Sequence, residues 1–257
     1  MKTLIFDIET APLLANCWGL WDQSIGLDMI EADWYVLSYS AKWLGAKEVM
    51  YDDQEKAKDI EDDTLMLKGI WRLLDECDVA VAHNGIKFDV KKLNTRFLLN
   101  GLGIPSPYKV VDTLRIAKAN FAMTSNKLEY LSGLLSSKPK LKHAKFPGFK
   151  LWKECLARNP EAWAEMKKYN IRDTVALEEV YLKLRAWNKQ QPNAGVYLEK
   201  NKPVCSKCGH TKLQARGFSY TSIGKYQRYQ CTKCGGWSRD RHSHTTQDVK
   251  ATLLTNC

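Results

Sequence analysis

Two acidic residues near the start of the chain are spaced for metal chemistry. Asp7 and Glu9 stand two residues apart in an apolar run, residues 4–10. In a strand, this spacing places both carboxylates on one face and Phe6 and Ile8 on the other. Two like charges so close repel each other, and a cation between them or contact with water relieves the repulsion. The pair predicts half of a metal site, with a solvated edge strand as the alternative.

A third acidic residue follows a predicted buried strand. Asp89 comes after the apolar run Val79–Ala82 and the turn His83-Asn84-Gly85, and it lies in the first turn of the next predicted helix. Such junctions of strand and helix are where α/β sheets bind ligands. The alternative is that this carboxylate only stabilises the N-terminus of its own helix.

A fourth acidic residue lies on a long predicted helix. Tyr169 and Asp173 are four residues apart and share a helix face. That face is otherwise apolar and points inward, so Asp173 requires a cation or a salt bridge. Arg172 and Arg115 are the candidate partners for the salt bridge.

The elements that must position these residues predict an α/β domain with a mixed sheet. Three strands come first and strands then alternate with helices, which indicates antiparallel strands followed by helical crossovers. The predicted strands are 4–10, Trp34–Tyr39, Glu48–Tyr51, Val79–Ala82 and Val110–Val111. The predicted helices are 59–76 with Asp62 or Asp63 as its cap, 88–100, 114–119, 127–135 and 160–187, and the predicted loops are 11–30 (loop or hairpin) and Ser136–Lys150.

Three segments resemble the motifs of the DEDD 3′→5′ exonuclease superfamily and occur in its order. They are Asp7-Ile8-Glu9-Thr10, Asn84-x-x-x-Phe88-Asp89 and Tyr169-x-x-x-Asp173, and Val111-Asp112-Thr113-Leu114 and Asn126-Lys127-Leu128 also look like that family. The tyrosine makes the chain resemble the DEDDy subgroup, because Lys168 stands where the other subgroup has histidine. The match in detail is to proofreading domains of family B DNA polymerases and to short phage or bacterial proteins that resemble them.

The resemblance implies a fold, a cofactor and a role for each residue. It implies an RNase H-like domain over residues 1–190, with Asp7, Glu9, Asp89 and Asp173 holding two Mg²⁺ or Mn²⁺ ions. Tyr169 would orient the attacking water. Carboxylate oxygens suit these hard ions, and two ions suit phosphodiester hydrolysis. Contacts to the terminal nucleotide are implied for Thr10, Asn84 and Phe88, with a core position as the alternative for Phe88.

Four cysteines near the C-terminus predict a structural zinc ion. They form two C-x-x-C pairs, and a glycine, Gly209 or Gly235, follows each pair directly. Thiolates at this spacing bind zinc tetrahedrally, and disulfides are the alternative that a reducing compartment disfavours. The ligands are Cys205, Cys208, Cys231 and Cys234 in a zinc ribbon predicted over residues 203–257, after a linker at 191–202.

The positive charge of the chain is concentrated in the same region. Residues 200–257 hold eleven Lys and Arg against Asp240 and Asp248, which accounts for +9 of the net +10. Basic and aromatic residues alternate there, as suits single-stranded nucleic acid. The alternative is that the aromatic residues form the small core of the ribbon; Phe218 and Tyr229 fit that alternative better than Tyr226 and Trp237.

The resemblance therefore implies a metal-dependent 3′→5′ exonuclease acting on single-stranded DNA or frayed 3′ ends, with a separate DNA polymerase as its partner. The alternatives are a 3′→5′ exoribonuclease, a transposase-like endonuclease and a non-catalytic nucleic-acid-binding protein. Neither a signal peptide nor an apolar run of about 18 residues is found, so no membrane partner is expected. The predicted location is the cytoplasm, or the host cytoplasm if the chain is phage-encoded.

Overall fold

The computed structural model describes residues 1–140, 143 and 145–255. Contacts divide the chain into two compact units, Lys2–Val180 and the residues from Tyr181 onward together with Met1. The domain limits predicted at 190 and 203 stay a prediction. Leu141, Lys142 and Ala144 of the predicted loop Ser136–Lys150 lie outside the described residues, as does the last cysteine, Cys257.

The first unit is built on a five-stranded mixed sheet in the order β5-β4-β1-β6-β7. β1 pairs antiparallel with β4 and parallel with β6, β4 pairs antiparallel with β5, and β6 pairs parallel with β7. This confirms the predicted order of antiparallel strands followed by helical crossovers. Its elements are β1 (Thr3–Thr10), β2 (Leu14–Ala15), β3 (Ile30–Ala32), β4 (Val36–Trp43), β5 (Met50–Asp53), α1 (Thr64–Glu76), β6 (Val79–Ala82), α2 (Asp89–Leu99), β7 (Lys109–Asp112), α3 (Thr113–Asn120), α4 (Leu128–Leu135), α5 (Lys150–Leu156) and α6 (Pro160–Leu184).

Several predicted boundaries were wrong. The first helix begins at Thr64 rather than at residue 59, and β4 runs on to Trp43 where residue 39 was its predicted end. The hairpin β2–β3 agrees with the loop or hairpin predicted over 11–30, but it extends to Ala32. Ser40 and Lys42 interrupt the apolar pattern of β4, yet both are buried. Their polar side chains are satisfied by a helix far along the chain, which local patterning does not reveal.

The two faces of the sheet carry different chemistry. On one face, Leu4, Phe6 and Ile8 of β1 pack with Leu67 and Ile70 of α1 in the larger core cluster. Burial of such side chains contributes about 1.5–3 kcal/mol each and fixes β1 against α1. Because side chains alternate along a strand, the odd-numbered residues of β1 face the other way, toward α6.

A row of polar contacts joins β4 to α6. Ser38, Ser40 and Lys42 on the strand meet Asn170, Thr174 and Glu178 on the helix, and these six residues are called the polar seam below. Ser38 Oγ donates to Asn170 Oδ1 (3.3 Å), Thr174 Oγ1 donates to the carbonyl of Ser40 (3.2 Å), and Lys42 forms an ion pair with Glu178. The contacts recur every two residues along β4 and every four residues along α6. The seam therefore sets the position of α6 along the sheet.

Asp63 was predicted as a candidate cap for α1, but its side chain makes no capping hydrogen bond. Asp62 Oδ1 accepts from the N–H of Thr64 instead (3.1 Å). The Asp63 carboxylate is fully buried, accepts from the N–H of Val36 (2.9 Å) and pairs with Arg96 (2.6 Å). It thus joins α1, β4 and α2.

Replacing Asp63 is expected to destabilise the first unit. Asp63→Ala leaves the Arg96 guanidinium without its carboxylate and the Val36 N–H without an acceptor, which costs about 3–5 kcal/mol of unfolding free energy. Urea denaturation followed by circular dichroism measures this. Lys145→Met is the control, because Lys145 and Glu161 form an exposed pair, and such a pair contributes no more than about 1 kcal/mol. Equal effects of the two substitutions would contradict the expectation.

The second unit contains a three-stranded antiparallel sheet in the order β10-β9-β8. Its elements are α7 (Ala194–Leu198), β8 (Leu213–Tyr220), β9 (Lys225–Cys231), β10 (Trp237–Arg239) and α8 (Gln247–Thr252). α7 falls inside the predicted linker, and the N–H of Ala194 donates to the carbonyl of Ser206 (2.9 Å). Across the described residues, no helix is both long enough and apolar enough to span a bilayer.

Candidate active site

A cleft of about 930 Å³ opens in the first unit, where β1 and β6 end. Parallel strands that end at one edge of a sheet commonly form ligand sites there. The cleft brings together residues that are far apart in the sequence. Its lining includes Asp7, Glu9, His83, Asn84, Phe88, Asp89, Lys118, Asn126, Lys127, Lys140, His143, Tyr169 and Asp173.

Asp7 and Glu9 lie on one face of β1, as predicted. Their partners across the antiparallel pair are Ser40 and Ser38, so both carboxylates face α6. Asp7 Oδ2 accepts a hydrogen bond from Asn170 Nδ2 (2.7 Å). The strand is central in the sheet, which makes the alternative of a solvated edge strand wrong.

The carboxylate of Asp173 completes a group of three. One oxygen from each of Asp7, Glu9 and Asp173 lies within 4.8 Å of the others. Asp173 is almost fully buried. Lys140 pairs with its Oδ2 atom, so the candidate partners Arg172 and Arg115 of the salt-bridge alternative were wrong. Its Oδ1 atom is buried and has no hydrogen-bond partner among the described residues. A buried carboxylate oxygen without a donor fits a metal ligand.

Asp89 lies in the same cleft but outside this group of three. It is the first residue of α2, and its Oδ1 atom accepts from the N–H of Ile8 on β1 (3.3 Å). Its bond therefore crosses to the strand that carries Asp7 and Glu9, which the alternative of purely local capping did not predict.

Crowding and burial raise the pKa values of these acids. Burial raises the pKa of Asp7 to about 6, although the ammonium of Lys140 opposes the shift. Burial, followed by the charge of Asp7, raises the pKa of Asp173 to about 7. The same two causes raise the pKa values of Glu9 and Asp89 well above their usual range. A divalent cation would have to replace these protons, so its affinity must rise with pH.

The same shifts predict how stability depends on pH in the absence of Mg²⁺ and Mn²⁺. Between the ordinary pKa of an aspartate and about 6, Asp7 binds more protons in the folded state than in the unfolded state, so unfolding free energy falls as pH rises. Asp173 extends that fall toward pH 7. Burial lowers the pKa of His83, which has the opposite effect. We therefore expect the Tm of the metal-free protein to fall more steeply from pH 5 to pH 7.5 than that of Asp7→Asn.

Thermal unfolding followed by circular dichroism measures this difference, and Mn²⁺ added at the higher pH should recover the loss. The control is Asp28→Asn, because Asp28 is exposed and does not line the cleft. A metal-free Tm that changes with pH in the same way in wild type and in Asp7→Asn would contradict the expectation.

Tyr169 lies one helical turn before Asp173 and lines the cleft with it. Its ring is nearly buried and makes edge contacts with His143 (5.1 Å between centroids) and Trp152 (6.1 Å). The Lys140 ammonium lies 4.5 Å from the ring centroid. Burial, followed by the charge of Glu9, raises the pKa of Tyr169 above its usual range. The hydroxyl therefore stays protonated at neutral pH and can donate a hydrogen bond.

The predicted nucleotide contacts have different outcomes. Phe88 lines the cleft and is 38% exposed, so the alternative that it belongs to the core is wrong. Asn84 also lines the cleft, with φ of +67°, a conformation that asparagine tolerates better than most residues. Its N–H donates to Asp112 Oδ1 (3.0 Å), which holds this turn in place. Thr10 pairs with Val36 beyond a β-bulge and is not among the residues that line the cleft, so its predicted contact lacks support.

Two residues of the site carry no assignment from the sequence. Asn170 stands between Tyr169 and Asp173, and its signal is the spacing of four to Thr174 and Glu178, which repeats as a polar stripe on α6. Lys140 comes from the loop before α5, and no local signal distinguishes it from the other lysines of that loop. With Lys118 and Lys127 it surrounds the acids with positive charge, which suits a phosphodiester substrate.

The four predicted zinc ligands lie together in the second unit, with their sulfur atoms within 4.8 Å of one another. Cys205 Sγ is 3.6 Å from Cys234 Sγ, and Cys208 Sγ is 3.7 Å from Cys231 Sγ. Disulfide bonds are about 2.05 Å long, so the disulfide alternative is wrong. A tetrahedron with Zn–S bonds of about 2.3 Å has edges of about 3.8 Å. The cluster is compatible with a zinc ribbon.

The glycine after each C-x-x-C pair has a backbone conformation that favours glycine. Gly209 and Gly235 have φ of +73° and +71°, which favours glycine because it has no Cβ. Their N–H groups donate to the carbonyls of Cys205 (2.8 Å) and Cys231 (3.0 Å). Both turns thus bring their two sulfur atoms to the same side.

Comparisons with known proteins agree with this architecture. Residues 4–185 match the profile of the RNase H superfamily, which supports a nuclease. Among solved structures, the chain is similar to the family B DNA polymerase of the hyperthermophilic archaeon Pyrobaculum calidifontis, with a TM-score of 0.50 and 16% identity. That match covers 89% of this chain and 33% of the polymerase, so the chain spans about a third of its length. No curated protein sequence matches the chain.

Proposed function

We propose that this chain, which belongs to the RNase H superfamily, is a metal-dependent 3′→5′ exonuclease of the DEDDy type acting on single-stranded DNA ends. The observation that carries the proposal is the group of three carboxylates from Asp7, Glu9 and Asp173, with Tyr169 one helical turn away. The sequence resemblance supports the direction of digestion. A role beside a separate DNA polymerase, in the cytoplasm, belongs to the same proposal and rests on that resemblance.

The donor set fits Mg²⁺ or Mn²⁺. Three carboxylates offer hard oxygen atoms, and the Oδ1 atom of Asp173 has no other partner among the described residues. When bound, such ions lower the pKa of a water molecule and stabilise the charge on the leaving 3′ oxygen. Asp7, Glu9 and Asp173 would hold them. Asp89 would join as the fourth ligand when its carboxylate turns from the N–H of Ile8 toward the group.

The other residues of the cleft position the substrate. The protonated hydroxyl of Tyr169 would orient the attacking water by a hydrogen bond. The amide of Asn84 and the exposed ring of Phe88 would contact the terminal nucleotide. Lys118 and Lys127 would attract the phosphates. Lys140 balances the charge of Asp173 until a divalent ion takes its place.

The second unit supports a structural zinc ion. Sulfur separations close to the edge of a zinc tetrahedron provide the fit, and Gly236 adds an N–H directed at Cys234 Sγ (3.4 Å). Zinc would supply folding energy to a segment with few buried apolar side chains.

Digestion of end-labelled strands tests the proposed activity. Linear single-stranded DNA and RNA of equal sequence, each labelled at the 5′ end, and a circular single-stranded DNA are incubated with Mg²⁺, with Mn²⁺ or without either ion. We expect a ladder of products from the linear DNA only when an ion is added, and an intact circle. A cut circle would indicate an endonuclease instead. Faster digestion of RNA would indicate an exoribonuclease, and no digestion at all would indicate a binding protein.

Tyr169→Phe is expected to slow digestion without abolishing it. The substitution removes only the hydroxyl that orients water, so we expect a rate loss of about 10- to 100-fold. The affinity for Mn²⁺, measured by titration calorimetry, should stay unchanged because the carboxylates remain. Tyr39→Phe is the matched control, since Tyr39 is buried in the core away from the cleft. A loss as large as that of a carboxylate substitution would assign Tyr169 a different role.

A further inference from the structure

The sheet of the second unit has two faces with different chemistry. Side chains that are paired across strands share a face, and Arg239 pairs with Arg228 while Trp237 pairs with Gln230. Tyr226 lies two residues before Arg228 on β9 and therefore points to the same side. This set of five residues is called the arginine face below.

The opposite face is covered by the chain that follows β10. Tyr229 donates its hydroxyl to Asp240 Oδ2 (3.3 Å), and the ring of His244 packs edge-on against Phe218 (5.7 Å). Lys225 lies over the ring of Phe218 on this side. Phe218 and Tyr229 thus lie on the covered face, where both are partly buried.

The arginine face pairs its cations with rings rather than with carboxylates. The Arg228 guanidinium carbon lies 4.6 Å from the centroid of Trp237, and that of Arg239 lies 3.9 Å from the centroid of Tyr226. Trp237 is 42% exposed. Arg216 of β8 donates to Gln230 on the same side. Across the described residues, none of these three arginines forms an ion pair with an acid.

This arrangement has an electrostatic cost that a bound anion would remove. Arg228 and Arg239 face each other directly across two strands, and like charges in such a pair destabilise a sheet. Nearby acids do not neutralise this charge, because residues 200–257 contain only two of them. One of the two, Asp240, directly follows β10 and accepts its hydrogen bond from Tyr229 on the covered face. The face therefore carries uncompensated charge beside exposed ring surface.

We propose that the arginine face binds single-stranded nucleic acid, with phosphates at the guanidinium groups and bases stacked on Trp237 and Tyr226. A single strand fits because its bases are free to stack on rings, whereas those of a duplex are already stacked. This binding site adds a substrate-binding surface to the proposed function. It rests on that proposal only for the assignment of the bound strand as DNA.

Binding by the full chain tests the proposal. The Asp7→Asn background prevents digestion, and anisotropy of a fluorescein-labelled oligothymidylate of about 20 nucleotides, longer than common single-strand sites, reports the affinity over a range of salt. We expect Trp237→Ala to weaken binding about 10-fold at every salt concentration. The double substitution Arg228→Gln with Arg239→Gln should weaken binding and reduce the slope of log K against log salt by about 1.4, or about 0.7 per phosphate contact.

Two matched controls distinguish the effect of the arginine face from the general effects of a positive charge and of an exposed tryptophan. Lys225→Gln removes one positive charge from the covered face of the same sheet, and it should leave the salt slope unchanged. Trp18→Ala removes a more exposed tryptophan, 98%, from a segment that has no Lys or Arg between Ala11 and Asp33, and it should leave the affinity unchanged. One equivalent of zinc in every variant, measured by atomic emission, shows that the unit is folded.

Each outcome supports or overturns the arginine face, and it can be distinguished from a failure of the proposed exonuclease activity. Equal losses from Lys225→Gln and from an arginine of the face would overturn the proposal, as would full affinity in Trp237→Ala or equal competition by duplex DNA. Losses with either oligothymidylate or oligouridylate support it. Digestion by the chain with Asp7 intact is measured in parallel. A normal ladder combined with unchanged binding in Trp237→Ala would overturn the face and leave the exonuclease standing.

Discussion

Asp7→Asn is expected to abolish hydrolysis, with a rate loss of at least about 1,000-fold, while the protein stays folded. The substitution removes one of three carboxylates that meet within 4.8 Å, and with it the charge that holds a divalent ion. The shape is kept, and the new amide oxygen still accepts the hydrogen bond from Asn170. Because burial raises the pKa of Asp7, losing this carboxylate should not lower the Tm of the metal-free protein.

Initial digestion rates of linear single-stranded DNA at saturating Mn²⁺, together with the affinity for Mn²⁺ from calorimetry, measure the effect. Asp173→Asn should behave in the same way because it belongs to the same group. Asp28→Asn is the control for the loss of a single acid, since Asp28 is exposed outside the cleft. Undiminished metal-dependent digestion by Asp7→Asn would refute the assignment of this site.

Cys231→Ser is expected to unfold the second unit and leave the first intact. Cys231 is buried, and its sulfur lies 3.7 Å from that of Cys208 in the cluster of four cysteines proposed to bind zinc. A structural zinc site contributes about 10–16 kcal/mol of apparent binding free energy at neutral pH. Losing one thiolate ligand therefore removes more than the net stability of a small domain.

Zinc content by atomic emission and limited proteolysis read out this effect. We expect less than one equivalent of zinc, and cleavage confined to the part of the chain after Leu184. Cys17→Ser is the matched control, because Cys17 is exposed and distant in sequence from the cluster. A Cys231→Ser protein that retains a full equivalent of zinc and resists protease would show that the cluster does not fold the unit.

Residues that are close in sequence were the ones that the sequence could place. Asp7 and Glu9 share a face because strands alternate, and Tyr169 and Asp173 share a face because helices repeat every 3.6 residues. The C-x-x-C pairs bring their sulfur atoms together through local turns in the same way. The mixed sheet followed from the order of strands and helices, which local patterns define well enough.

Contacts between distant segments were not predictable in the same way. Lys140 reaches Asp173 from a loop 33 residues earlier, and nothing near it in the sequence indicates this. Arg172 and Arg115 were wrong as candidate partners for a salt bridge because they were chosen by charge alone, without knowledge of their position. The motif predicted a nucleotide contact for Thr10. A β-bulge follows Glu9, and Thr10 is not among the residues that line the cleft.

The polar seam limits how this chain can change in length. Two residues of strand advance about 6.7 Å and four residues of helix about 6.0 Å, so the two repeats stay matched only over a few steps. One residue inserted between Tyr169 and Glu178 would rotate the residues beyond it by about 100° around α6. One inserted between Ser38 and Lys42 would turn the rest of β4 to the opposite face. Insertions or deletions within either segment would therefore break the match between β4 and α6 that places Asp173 beside Asp7.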